Sequence, residues 1–160
     1  MAFKPPSKTS SPIKHVPPHS TEAEAAVLGS ILINPESMNK VVEILEPEHF
    51  YSPQNKLIYE AIFTLFNQNK PTDGLALAEY FKSRNKLEEI GGIEYLGELG
   101  LDTVLSSNIE YYAEIIKENA LKRKLINAGS IIIEETYKNP EADVSLEIAE
   151  KTVFEIAQQK

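Results

Sequence analysis

Residues 107–140 decide the fold and read SNIEYYAEIIKENALKRKLINAGSIIIEETYKNP. Apolar residues recur in this stretch every three or four positions, which is the spacing that places side chains on one face of an α-helix. They are Ile109, Tyr112, Ile115, Ile116, Ala120, Leu125, Ala128, Ile132 and Ile133. The pattern ends at Asn139-Pro140, because proline cannot continue a helix. The sequence therefore predicts one long helix over about residues 107–138.

A helix of this length is too long to lie within a compact domain. At a rise of about 1.5 Å per residue it would extend roughly 45 Å. A globule built from all 160 residues would be only about 40 Å wide. We therefore expect the far end of this helix to project from the body of the protein.

A second apolar stripe follows the turn at Pro140 and includes Leu146, Val153 and Ile156. Its spacing predicts a return helix over about residues 144–159, capped by Asp143. Because the turn between the two helices is short, they should run antiparallel. The sequence thus predicts a helical hairpin over residues 106–160.

The chain before the hairpin predicts a globular helical head over residues 20–105. Thr21 and Glu24 have the spacing of a capping box, and a helix over about 22–33 follows them. Ser52-Pro53 is the typical start of another helix, and no segment has the alternation of a strand. The predicted fold class is all-α, with a compact helical head followed by a projecting antiparallel helical hairpin.

Residues 1–19 differ in composition from the rest of the chain. They hold five of the ten prolines, together with Lys4, Lys8 and Lys14 and no acidic residue. Such a segment cannot bury much apolar surface, so we predict a disordered, basic, proline-rich tail. The remaining residues carry 13 Lys or Arg against 24 Asp or Glu, and the head and hairpin should therefore present an acidic surface.

Composition argues against several kinds of partner and compartment. A net charge of −8 disfavours direct nucleic-acid binding, since phosphate backbones are repelled. No apolar run is long enough to cross a membrane, and the N-terminus lacks the apolar segment of a secretory signal. The absence of cysteine suits a reducing compartment. The sequence therefore predicts a soluble cytoplasmic protein without a membrane partner.

The residues that usually carry catalysis are missing or scattered. Neither the P-loop nor the Gly-rich dinucleotide motif occurs, and the three histidines have no metal-binding spacing. Adjacent carboxylates such as Glu134 and Glu135 are best interpreted as a solvated acidic face. The basic run Lys122-Arg123-Lys124 is best interpreted as a source of helix-surface ion pairs with Glu114 and Glu118. We predict no catalytic, cofactor or metal site.

The long helix has apolar residues around much of its circumference. Ile131, Ile132 and Ile133 alone point their side chains over about 200° of it. One return helix cannot cover such a surface. Either the head folds back over it or a second copy of the chain does, and the length argument favours self-association.

Several ordered motifs resemble those of one family. They are Pro17-Pro18-His19-Ser20-Thr21-Glu22-Ala23-Glu24, Phe50-Tyr51, Ile58-Tyr59-Glu60-Ala61-Ile62, Asn108-Ile109-Glu110-Tyr111-Tyr112-Ala113 and Leu121-Lys122-Arg123-Lys124-Leu125. In order and spacing they are similar to the N-terminal domain of the bacterial replicative DNA helicase, the DnaB family. Gly74 departs from the family pattern, which usually has an aliphatic residue after the aspartate.

The resemblance implies an all-α collar domain of a ring-shaped hexamer, in which hairpins pair into dimers and three dimers form a trimer. It also implies docking of the primase C-terminal domain during DNA replication and, as a further partner, a helicase loader. The full-length relative would be an ATP-dependent DNA helicase whose ATP and Mg belong to a RecA-like motor. That motor is absent from this chain, so we expect a piece or product that omits the ATPase and acts by binding.

The resemblance and the chemistry of helix pairs single out two sets of residues. For hairpin self-association we expect aliphatic anchors at Ile115, Ile116, Ile132, Ile133, Val153 and Ile156. For primase docking, matching family positions are Glu22, Tyr95, Ile126 and Ile132. The competing interpretation is a core position for the apolar residues and a helix-cap charge for Glu22. Two alternative functions stay open, a free-standing helical adaptor and a mimic of the helicase collar.

Overall fold

The computed structural model describes residues 15–101 and 108–159. Within these ranges the chain forms seven α-helices and no strand, which confirms the predicted all-α class. The first fourteen residues of the predicted tail, and the predicted boundary between residues 105 and 106, lie outside the described ranges. The helices are α1 (Thr21–Ile33), α2 (Met38–Val41), α3 (Pro53–Asn67), α4 (Gly74–Ser83), α5 (Gly92–Leu101), α6 (Ile109–Lys138) and α7 (Ala142–Gln158).

The head is organised around α1, which packs against α5, α6 and α3. Its side chains Val27, Leu28 and Ile31 are completely buried. Tyr59 of α3 is also buried, and its hydroxyl donates to the carbonyl oxygen of Leu45 at 2.8 Å. A buried tyrosine needs such a partner for its hydroxyl. The head thus has one continuous core, in which the hydroxyl of Tyr59 has a hydrogen-bond partner.

Side-chain caps set the starts of three helices. Ser20, Ser52 and Asp73 accept hydrogen bonds from the backbone N–H groups three residues further on, in α1, α3 and α4. The predicted capping box of Thr21 and Glu24 was wrong, because Ser20 is the N-cap of α1. The carboxylate of Glu24 points into the head instead and accepts hydrogen bonds from the backbone N–H groups of Tyr51 and Ser52, just before α3.

α6 is shared between the head and the hairpin. It has 30 residues, and Ile109, Ala113 and Ile116 in its first half are buried in the head core. Its second half packs against α7. Lys124 donates to the side chain of Gln159 at 3.0 Å, whereas Glu135 lies opposite the other end of α7. These pairings make the two helices antiparallel, as predicted.

The turn of the hairpin differs in detail from the prediction. α7 begins at Ala142, with Glu141 as its N-cap, while Asp143 lies in the first turn. Ser145 is buried and its hydroxyl donates to the carbonyl oxygen of Glu135 at 3.4 Å. This contact holds α7 against α6 two residues after Asp143, the predicted cap. The helix starts two residues earlier than the apolar stripe alone indicates.

Candidate protein-interaction surfaces

Arg123 of α6 connects the hairpin to the head. One guanidinium nitrogen donates to the carbonyl oxygen of Pro18 at 2.7 Å, and the other donates to the carbonyl oxygen of His49 at 2.7 Å. Its Cζ also lies 5.4 Å from the ring centroid of Tyr51, within the range of a cation–π contact. Partial burial lowers the pKa of this guanidinium, while the charge of Glu24 raises it.

Residues 15–20, here called the strap, precede α1 and run past α6. The ring of His19 stacks on Tyr51 with centroids 4.2 Å apart. Its Nδ1 lies 2.8 Å from the carbonyl oxygen of Pro17, to which it donates. The strap has no helical hydrogen bonds of its own. These contacts and the one to Arg123 fix its course.

A groove lies between the strap and α6. It has a volume of about 270 Å³ and is lined by Pro17, Tyr51, Arg123, Ile126, Asn127 and Ser130. Ile126 is 56% exposed there. An exposed isoleucine between an aromatic ring and a proline offers an apolar contact to a partner, with polar groups at the margin. We call this feature the Ile126 groove.

A buried polar network lies behind the Ile126 groove. The carboxylate of Glu24 is 2% exposed and accepts from the backbone N–H of Tyr51 at 3.0 Å, from that of Ser52 at 3.3 Å and from Asn55 Nδ2 at 3.1 Å. Asn55 Oδ1 in turn accepts from the hydroxyl of Tyr95. Burial, followed by the charge of Glu24, raises the pKa of the Tyr95 hydroxyl. The network fixes the start of α3 and with it the ring of Tyr51.

The distal hairpin exposes large apolar side chains along one side, here called the hairpin flank. Leu125 and Ile132 of α6 are seven residues apart, as are Leu146 and Val153 of α7. Ala128 of α6 and Thr152 of α7 lie at the contact between the two helices, and in each helix the apolar pair is rotated away from that position in the same sense. Because the helices are antiparallel, both pairs therefore lie on the same side of the hairpin. Leu146 is 58% and Val153 48% exposed. A strip of this kind on an isolated hairpin is typical of a surface that binds another protein.

The structure separates the six residues predicted for self-association. Ile132 is half-buried and Val153 exposed on the hairpin flank, and Ile133 is exposed at its outer edge. Ile156 is half-buried and faces α6, where it shares a cavity with Lys124 and Gln159. Ile115 packs against the head core. For Ile116 the expectation is corrected, because its side chain is 2% exposed in that core and offers no surface to a second copy.

Three potential metal ligands meet at the turn before α3. Oxygen or nitrogen atoms of Glu46, Glu48 and His49 lie within 4.8 Å of one another. His49 Nδ1 already accepts from the backbone N–H of Glu46 at 2.9 Å, and Lys124 Nζ lies 3.7 Å from Glu48 Oε1. These groups therefore cap the turn and hold it to α6. The cluster contains one histidine and two glutamates, so it lacks the paired-histidine spacing by which a metal site is usually identified in a sequence.

No helix in the described part of the chain combines enough length with enough apolar character to cross a bilayer.

Comparison with known proteins assigns most of the chain to one family. Residues 16–118 match the family described as DnaB-like helicase N terminal domain. The chain belongs to this family. The match covers the strap from Val16 onward, the whole described head and the first part of α6. It therefore includes Pro18 and His49, whose carbonyl oxygens accept from Arg123.

Curated relatives of this DnaB-family domain are replicative helicases. The chain is 36% identical over 146 residues to the replicative DNA helicase DnaC of Bacillus subtilis, covering 91% of the chain and 32% of that protein. It is 35% identical over 148 residues to DnaB of Geobacillus stearothermophilus, covering 92% of the chain and 33% of that protein. The chain thus spans about a third of the length of the curated relatives it matches.

Two solved structures share this fold over most of the chain. The N-terminal domain of DnaB helicase from Mycobacterium tuberculosis matches with a TM-score of 0.81 at 31% identity, covering 88% of this chain and 99% of that one. A DnaB-like replicative helicase, described together with its interactions with primase, matches with a TM-score of 0.72 at 29% identity. That match covers 86% of this chain and 31% of the helicase.

The four residues that the DnaB resemblance assigns to primase docking occupy different environments. Glu22 is exposed in the first turn of α1, and Tyr95 is half-buried with its hydroxyl bound to Asn55. Ile126 lines the Ile126 groove, whereas Ile132 lies on the hairpin flank. The strap, Tyr51 and Arg123 were not predicted as parts of this surface. Ion pairing with Glu114 and Glu118 was expected of Arg123, but its observed hydrogen bonds go to carbonyl oxygens.

Proposed function

We propose that this DnaB-family domain is the collar module of a replicative DNA helicase. In this role it pairs through its hairpin, assembles as a trimer of dimers in a hexamer and docks the primase C-terminal domain. The unwinding of DNA, with its ATP and Mg, would belong to a motor that follows the collar in a longer protein. The role places the domain in the cytoplasm and gives it no need to contact nucleic acid directly.

The hairpin flank is the observation that carries this proposal. Leu125, Ile132, Leu146 and Val153 form an apolar strip on the part of the chain that extends beyond the head. Two such strips related by a two-fold axis would cover each other and bury the exposed apolar surface of both copies. Apolar anchors with polar margins are typical of stable helix-pair interfaces. Ile133 would contribute at the margin and Ile156 would support α7 from within.

Docking of primase is proposed for the Ile126 groove and its surroundings. The helicase described with its interactions with primase has the same fold at 29% identity. Here Ile126 supplies an exposed apolar anchor, and Tyr95 stiffens the head behind the groove through Asn55. Glu22 would act as a charge at the rim, where it affects the association rate more than the affinity. A helicase loader would be a further partner of the assembled ring.

The two regions of the chain have different proposed functions. We assign the globular helical head over residues 20–105 to support and partner docking, and the hairpin over residues 106–160 to self-association. The alternative of a free-standing adaptor has the same surfaces but no motor. Recovery of a downstream P-loop in the natural reading frame would decide for the helicase.

Self-association is tested by light scattering over a roughly hundredfold concentration range. We expect a mass that rises to a dimer or larger. Leu146→Asp places a charge on the hairpin flank and should return the domain to a monomer, because an unpaired charge would be buried in the interface. Leu75→Asp is the matched control, since Leu75 is 75% exposed on the head; this variant should still form dimers. Equal masses for both variants would contradict the proposed pairing surface.

Primase docking is tested by titrating the isolated primase C-terminal domain against the collar domain. Ile126→Asp should weaken binding at least tenfold, the loss expected for one central apolar anchor. Ile93→Asp is the control, because Ile93 is similarly exposed on α5. Circular dichroism of both variants separates a binding defect from unfolding. Wild-type affinity in the Ile126 variant would remove the groove from the docking surface.

A further inference from the structure

We propose that Arg123 is the positioning residue of the Ile126 groove. It holds the strap and the Tyr51 loop against the hairpin and so sets the width of the groove. This inference rests on the docking role proposed above. Arg123 contributes to docking indirectly, by positioning the residues that line the groove.

The walls of the groove come from separate parts of the chain. Ile126, Asn127 and Ser130 belong to α6, whereas Pro17 and Tyr51 belong to the strap and to the loop before α3. These segments are far apart in the chain, so no short backbone connection fixes the distance between the walls. The groove therefore depends on contacts that cross from α6 to the head.

Arg123 makes such contacts to both head-side walls at once. Its acceptor in the strap is Pro18, the neighbour of Pro17, at 2.7 Å. Its acceptor in the loop is His49, two residues before Tyr51, also at 2.7 Å. Arg123 itself lies one turn before Ile126 on the same helix. One side chain thus ties both outer walls to the helix that carries the inner wall.

The chemistry of the site favours arginine over lysine. Two carbonyl oxygens from separate segments must be satisfied together, and the planar guanidinium can donate to both while facing an aromatic ring. A lysine ammonium is a single point charge on a flexible stem and would reach one carbonyl at a time. The buried Glu24 carboxylate behind Tyr51 adds a favourable charge, although no ion pair to it is needed.

Arg123 also links groove and hairpin geometry. A partner seated between Pro17, Tyr51 and Ile126 would favour the same placement of head and hairpin that Arg123 stabilises. By linkage, the factor by which the partner favours contact between the strap and α6 equals the factor by which loss of that contact lowers the partner's affinity. Docking and hairpin orientation are therefore coupled through this side chain.

The first test measures the strap directly and needs no partner. Because the chain contains no cysteine, spin labels can be attached to cysteines introduced at His15 in the strap and at Tyr137 near the tip of α6. Pulsed electron spin resonance should give one narrow distance distribution for the parent and for Lys122→Gln, an exposed neighbour that loses the same charge. Arg123→Gln should broaden it. An unchanged distribution in Arg123→Gln would overturn the inference.

A second variant keeps the test decisive if Arg123→Gln does not fold. Arg123→Lys retains the charge and the aliphatic stem, and circular dichroism should show native helix content. Its distance distribution should still be broader than that of the parent, since one of the two carbonyls loses its donor. A parent-like distribution in a folded Arg123→Lys variant would show that the forked contact is dispensable and would overturn the proposal.

The last arm measures binding of the primase C-terminal domain to the same set of proteins. We expect Arg123→Gln to weaken binding about tenfold and Lys122→Gln to change it less than twofold. Equal affinity of Arg123→Gln and parent would overturn the positioning role. If even the parent fails to bind primase, the docking function fails, whereas the distance measurement still decides whether Arg123 positions the strap.

Discussion

The head and the hairpin bury their apolar residues to very different extents. In the head, Leu28, Ile31 and Ile58 are completely buried. In the hairpin beyond Ala120 the buried positions are the small residues Ala128 and Ser145. The large apolar side chains there are half-buried or exposed, and Tyr137 is 89% exposed.

The difference follows from the number of layers. In the head, α1 is covered by α3, α5 and α6, so an apolar face has neighbours on several sides. The hairpin is a single pair of helices, and each can cover only one stripe of the other. Its remaining apolar side chains are left for a partner. The core of the head is therefore closed once α6 packs on it, while the apolar surface of the hairpin is left for a partner to cover.

The largest expected difference is in the stability lost when one leucine in each region is replaced by alanine. Leu28→Ala should lower the free energy of unfolding by about 3 to 5 kcal/mol, the cost of a cavity in a close-packed core. Leu146→Ala should lower it by less than about 0.5 kcal/mol in the monomer, because little packing is lost at an exposed site. Urea denaturation at low protein concentration measures both. Similar losses would contradict the contrast between a closed head and an open hairpin.

A smaller difference in stability is expected between substitutions of two glutamates in the first turn of α1. Glu24→Ala removes a buried carboxylate that accepts three hydrogen bonds and should cost about 2 to 3 kcal/mol. Glu22→Ala removes an exposed carboxylate with the same favourable position on the helix dipole and should cost at most about 0.5 kcal/mol. Thermal denaturation followed by circular dichroism distinguishes them. A stable Glu24 variant would mean that the network is not needed to hold α3 against α1.

The smallest effect concerns His49, where the head meets α6. Burial, followed by the charge of Lys124, lowers the pKa of His49 below its ordinary value of 6.5. As the pH falls through 6.5, the unfolded chain takes up this proton before the folded chain does, so stability decreases; above that pH the residue has no effect. Asn at position 49 can still accept from Glu46 but does not titrate.

The measurement is the free energy of unfolding between about pH 7 and pH 5.5, the window just below the unfolded pKa. Wild type should lose stability more steeply with acidification than His49→Asn. Carboxylates elsewhere titrate in both proteins and leave this difference intact. Parallel curves would show that His49 is not restrained in its neutral form.

The helices could be predicted well because their signals are local. α6 was expected over about 107–138 and begins at Ile109 and ends at Lys138; α7 was expected over about 144–159 and spans Ala142–Gln158. Periodic apolar residues and a proline after Asn139 suffice for this. The projection of the hairpin follows from helix length alone. None of these features depends on a distant residue.

The contacts of the candidate site could not be predicted in the same way. Arg123 donates to the backbone carbonyls of Pro18 and His49, which precede it by 105 and 74 positions. Every residue has a backbone carbonyl, so the sequence does not indicate which ones will be its partners. Glu24 had the spacing of a local cap, yet its partners lie 27 to 31 positions further along the chain. Both side chains are polar groups next to apolar helix faces, and only the packing of those faces decides which atoms they meet.

The continuity of α6 has a mechanical consequence. One unbroken helix runs from the head core to the tip of the hairpin, so the helix behaves as a lever arm whose pivot is the buried segment from Ile109 to Ile116. From Ile116 to Lys138 the helix extends about 33 Å, so a tilt of only about 5° at that pivot would displace the tip by roughly 3 Å. Small rearrangements inside the head would thus be amplified at the place where two hairpins would meet.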